Sequence, residues 1–241
     1  MYNLGGNGIT GEENKLSRKD IKEVLGELLK SGDKGIISAA IKKYRPRQAV
    51  NALFPFIYNS APVVKWGAIT AMGEAVGFMA EEDLESARNV IRRLMWNLND
   101  ESGGIGWGSP EAMAEILAGN DSLAIEYHKI LLSYANENGN FQENEIIQRG
   151  VLWGIGRIAE KYPDLVKKSA VDVIKFLDSD DPLVRAYAVR IVGILRLREV
   201  RSKLDSILND DSEIQIFIDR ELINCRVKDM VNEAMNNLDT K

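Results

Sequence analysis

One ten-residue pattern governs what this chain can become. Val64-Lys-Trp-Gly-Ala-Ile-Thr-Ala-Met-Gly73 returns at Ile105–Ala114, Ile147–Gly156 and Val184–Gly193, with glycine or another small residue kept in place, and more faintly from Ile214. Successive copies start 41, 42, 37 and 30 residues apart. That is the spacing of a repeated helix pair, which buries its apolar face against its neighbours rather than in a single core. The expected architecture is all-α, an α-α superhelix of about five to six helix pairs. Residues 15–241 form one domain on this reading. The stretch 1–14, with four glycines and no apolar period, is expected to be a flexible tail.

Helix signals fill in the array. Ser17 reads as an N-cap with Asp20 three residues on, ahead of Ile21, Val24, Leu25, Leu28 and Leu29 at helical spacing. Gly35 to Tyr44 makes the next helix, ended by Pro46, and Gln48 to Tyr58 the one after. Beyond Pro62 the repeated segments alternate with amphipathic helices expected at Asp83–Asn97, Ser122–Asn136, Asp164–Leu177 and Glu199–Leu208. Turns rich in Asp, Asn and Ser separate them and can accept bonds from the free N–H groups of the next helix. Val227–Leu238, with a polar face, reads as the cap that the end of an array requires. Glycine inside a helix costs roughly 1 kcal/mol against alanine, so Gly67, Gly108 and Gly150, and again Gly73, Gly156 and Gly193, at matching places predict close helix contact, as does Gly154.

Composition narrows the function classes. The net charge of −5 and pI near 5.2 disfavour a general nucleic-acid binder. Cys225 and His128 are each the only residue of their kind, so no intramolecular disulfide and no cysteine-based metal cage can form, and neither a metal nor another cofactor is expected. No run is long and apolar enough to cross a bilayer, and 1–13 lacks the pattern of a secretory signal, so a cytoplasmic location is the default expectation.

Asp181-Pro-Leu-Val-Arg185-Ala-Tyr-Ala188-Val-Arg-Ile-Val-Gly193 is similar to the second helix of HEAT-like repeats, including the variety named after phycobilisome lyases. The Val64 and Ile147 copies match with Lys65 and Gln148 in place of the arginine, and the resemblance spans roughly 49–224. It implies a HEAT-like solenoid whose repeated helices line a concave binding face. On that face Trp66, Trp107, Arg149 and Ala186 would form one stripe, Thr70, Glu111, Trp153 and Arg190 a second, and Glu74, Glu115 and Arg157 a third. Tryptophan edged by charge is the make-up of a recognition groove. The same indoles would equally fill gaps left by the glycines.

The second copy breaks the pattern. Asp100, Glu101, Gly103, Gly104, Gly106 and Gly108 precede Ser109-Pro110-Glu111, so the helix is expected to start late, with Ser109 as its cap, behind a glycine-rich loop at the groove mouth. Such a loop is either a tight turn seating Trp96 and Trp107 or a contact for a ligand or partner. It follows a helix, lacks Gly-Lys-Ser/Thr and sits among carboxylates, which argues against a nucleotide. The leading expectation is a non-catalytic scaffold that holds a protein or peptide through Trp66, Trp107, Glu111, Glu115, Arg149, Trp153, Arg157 and Arg190. Two alternatives stay open. Resemblance to DNA-alkylation-repeat glycosylases implies base excision using Asp100, Glu111 or Glu115, against which the charge speaks. The lyase-type resemblance implies scaffolding of a cofactor-bearing partner.

Overall fold

The computed structural model describes residues 17–99 and 106–240. The sequence-expected tail over 1–14 therefore lies outside the described residues, as do Asp100, Glu101, Gly103 and Gly104. The chain opens with α1 (Arg18–Ser31), α2 (Lys34–Ile41) and α3 (Pro46–Leu53). It continues through α4 (Pro62–Glu82), α5 (Leu84–Leu98), α6 (Ser109–Gly119), α7 (Asp121–Ser133) and α8 (Glu145–Lys161). Then come α9 (Pro163–Lys167), α10 (Val171–Ile174), α11 (Pro182–Leu195), α12 (Arg201–Ser206), an antiparallel hairpin of β1 (Glu213–Ile218) and β2 (Glu221–Arg226), and α13 (Val227–Asp239).

The repeated segments are α4, α6, α8 and α11. They pack one on the next, with α13 closing the series on α11, while α5, α7 and α9 stand behind them as the second layer. This is a HEAT-like α-α solenoid.

Local chemistry explains the helix starts. Ser17 and Asp20 form the expected capping box, with reciprocal bonds of 3.2 and 2.9 Å. Asp33, Asp83, Asn120, Asn144 and Asp181 each accept a first-turn N–H of the helix that follows. The small residues set the layer spacing. A Cβ on Gly73 would sit 2.8 Å from Glu115 Cγ, one on Gly154 2.9 Å from Ala114 Cβ, and one on Gly193 2.9 Å from Ala234 Cα. Each helix interface thus closes through a missing methyl group, and the dispersion gained by close contact offsets the helical cost of glycine.

Several expectations need correction. Pro46 begins α3 instead of ending the helix before it, because its missing N–H is harmless in a first turn. The helix expected over 164–177 is broken into α9, α10 and a 3-10 turn at Lys175–Asp178. Its counterpart at 199–208 shrinks to α12 behind a 3-10 turn at Arg198–Val200. His128 of α7 is buried, with Nδ1 2.9 Å from the Ala124 carbonyl.

The cap of α6 is Gly108 rather than Ser109, whose hydroxyl is buried without a partner. Gly108 has φ +75°, and a Cβ there would overlap the Ile57 carbonyl, so backbone conformation and close approach both demand glycine.

The largest departure is at Ile214. The faint fifth copy is not a helix but β1, paired with β2 from Glu213↔Arg226 to Ile218↔Glu221 around a tip at Asp219–Arg220. Ile214, Ile216 and Phe217 are buried, whereas β2 is largely exposed.

Candidate functional site

The hairpin lies against the repeated-helix layer, and the aromatic residues meet under it. Phe217 stacks on Trp66 with ring centroids 4.4 Å apart and planes 8° from parallel. Trp153 tilts against Trp66 at 4.7 Å, and its Nε1–H donates to the Phe217 carbonyl at 2.7 Å. Both indoles are buried. Burial pushes the hydroxyl of neighbouring Tyr187 far above the ordinary phenol range, with the Glu111 carboxylate adding to the effect. Strand β1 is thus held as an extended segment is held in a groove, by one side chain seated on an aromatic surface and one carbonyl satisfied by an indole.

Trp107 stands apart. It lies in the turn ahead of α6, is 37% exposed, and makes no ring contact with this cluster. The shared wall that repeat register predicts for Trp66 and Trp107 is replaced by one of Trp66, Trp153 and Phe217. The late start of α6 takes Trp107 off the helical stripe, and Phe217 arrives from more than 60 residues beyond Trp153.

The charged candidates form bridges between neighbouring helices. Lys65 of α4 donates to Glu111 of α6 at 2.7 Å, and Arg157 of α8 to Glu115 of α6 at 2.7 Å. Arg149 of α8 reaches Asp181, the cap of α11, at 2.6 Å, and Arg190 pairs with Glu160. Arg185 repeats the relation one step on, toward Asp210.

Glu111 is 2% exposed and Glu115 7%, so both carboxylates are engaged inside the layer. Glu111 Oε2 has no hydrogen-bond partner and lies against Gly150, where any side chain would collide with it. Burial of the Arg157 guanidinium opposes its charge, yet the pairs with Glu115 and Glu160 raise its pKa overall. Beside these pairs Glu115, Trp153, Arg157, Glu160, Arg190 and Arg220 line a charged recess of about 270 Å³ on one side of the hairpin. Among the described residues no cluster of His, Cys, Asp and Glu could hold a metal ion, and no helix is long and apolar enough to cross a membrane.

Sequence reasoning missed Phe217, Arg220 and Glu221. The signal was available in Ile214-Gln-Ile216, whose alternation has the period of a strand. The tip residues hid it, because a tight hairpin turn normally announces itself with Asn or Gly. Here Asp219 and Arg220 take φ +52° and +64°.

Stacked helix pairs with this inner layer define a repeat solenoid of the HEAT/armadillo type. Residues 145–195 match the family model described as "HEAT-like repeat". An uncharacterized protein of Archaeoglobus fulgidus is 25% identical over 186 residues, covering 76% of this chain and 93% of its own length. Among solved structures, an engineered protein superposes with a TM-score of 0.59 at 17% identity, covering 95% of each chain. A designed armadillo repeat protein in complex with the peptide (KR)4 does so at 0.52 and 14% identity, covering 91% of this chain and 100% of its own.

Proposed function

We propose that this chain is a non-catalytic binding module that holds a protein or peptide partner along its repeated-helix face. The observation that carries this reading is the strand already lying there. Stacking on Trp66 and donation from Trp153 Nε1 are the contacts an extended peptide needs, and they are made here to the chain's own β1. The designed armadillo protein similar in fold was solved with a peptide, which supports the same use of the architecture.

Trp107, 37% exposed, and Arg149, with its side chain 42% exposed, offer further contact area. Exposed indole and arginine are the side chains on which binding free energy concentrates.

The test is capture from the native cell with tagged full-length protein. Trp107→Ala, which removes a half-exposed ring, should diminish the captured set. Phe217→Ala, which loosens β1 from the indoles, should increase it. The same proteins retained in the same amounts by both variants would overturn the reading.

A further inference from the structure

A separate cavity of about 300 Å³ opens on the side of the hairpin that faces α2. Ile37, Val63, Trp66, Phe217 and Leu222 supply apolar walls. The volume stands at the lower end of the roughly 300–1,000 Å³ range of small-molecule sites, room for one fused bicycle. Two ion pairs cross the rim, Lys34 with Glu221 and Arg220 with Glu74, and tie the hairpin tip to α2 and α4.

The charges differ in depth. The Glu74 side chain is 24% exposed and that of Arg220 50%, so the carboxylate forms the inner end and the guanidinium the outer. Their closest approach, 3.6 Å, is an ion pair but too long for a hydrogen bond. Glu74 Oε2 is sealed from water with no donor at all. A buried carboxylate oxygen lacking a donor is costly, and this one, unlike Glu111 Oε2, belongs to a side chain that lines an open cavity. The tip that carries Arg220 is itself strained, both of its residues having positive φ without being glycine. Strain of that kind gathers at binding sites.

We infer that this cavity binds a small organic ammonium, a protonated amine on an apolar body the size of an indole. The ammonium is received by Glu74, whose carboxylate turns about its last torsion to meet it, and the body lies among Ile37, Val63, Trp66 and Leu222. The cavity shares Trp66 and Phe217 with the repeated-helix face, so it exists while the hairpin is docked, and its ligand is tested on the chain without any protein partner.

Calorimetric titration of the full chain with tryptamine, its neutral alcohol analogue tryptophol and the anion indole-3-propionate tests it. Tryptamine should bind at least tenfold more tightly than either analogue. Glu74→Gln should reduce tryptamine affinity at least tenfold. Val63→Trp, at a partly exposed wall position that tolerates bulk, should block it while the helical circular dichroism stays intact. No heat with tryptamine, equal affinity for the three probes, or undiminished affinity in Glu74→Gln would each overturn the assignment, whatever the capture experiment gives.

Discussion

Replacing Phe217 by alanine isolates the contact that holds the hairpin on the solenoid. Truncating a buried phenylalanine removes ~3–5 kcal/mol where the surroundings cannot move. Here they can move, because the strand paired with β1, β2, is itself largely exposed. The other attachments at the tip are partly exposed ion pairs, Lys34–Glu221 and Arg220–Glu74, worth at most about 1 kcal/mol each. Against them stand the left-handed conformations of Asp219 and Arg220, costing roughly 1–2 kcal/mol per residue. With the ring gone, the bond from Trp153 Nε1 to the residue-217 carbonyl and the buried Ile214 and Ile216 remain, and docking of the hairpin falls toward balance, since a two-stranded hairpin is marginal by itself.

The expected outcome is therefore local. Hydrogen exchange should show the amides of 213–226 losing most of their protection while those of α4, α6 and α8 keep theirs. Emission from Trp66 and Trp153 should shift to the red as water reaches them. The reasoning is refuted if the hairpin amides stay protected in the variant, or if the helices lose protection together with the hairpin.

Further substitutions probe the helix array. Gly108→Ala should destabilise by several kcal/mol, roughly 1–2 from the left-handed backbone and ~1–3 from overlap with the Ile57 carbonyl, read as a lower urea midpoint. Lys65→Met leaves Glu111 buried without its cation and should cost ~3–5 kcal/mol in denaturant melts, whereas Lys65→Arg should cost far less. Burial opposes ionisation of Asp210, but hydrogen bonds from Ser212 and Arg185 outweigh it and hold its carboxyl below the usual range. A lowered folded pKa adds stability that is present above the unfolded value, about 3.9, and is lost as pH falls through the folded one. Asp210→Asn should therefore be less stable than wild type at pH 7, with the gap narrowing in melts at pH 3.

The helix pairs were legible because their cause is local. Capping residues, proline at first turns and small residues at a fixed interval fix each helix and the face by which it meets the next, without reference to distant sequence. Lys65, Arg149 and Arg157 could likewise be placed near the repeated-helix layer from register alone. Their partners could not, since a bridge such as Arg149–Asp181 depends on how far neighbouring helices are offset.

The site itself was legible only in part. Trp66 and Trp153 were identified, but what covers them was not, because Phe217 reaches Trp66 across some 150 residues of chain and carries no mark of that destination. Hairpin formation at 213–226 turned on docking to the helices: two strands with an Asp-Arg tip have too little surface of their own to fold upon. The sequence by itself determined the helices and their order of stacking, through contacts between near neighbours. Only the tertiary structure decided which aromatic rings meet and which cavities open beside them, because these depend on long-range burial that leaves no periodic trace.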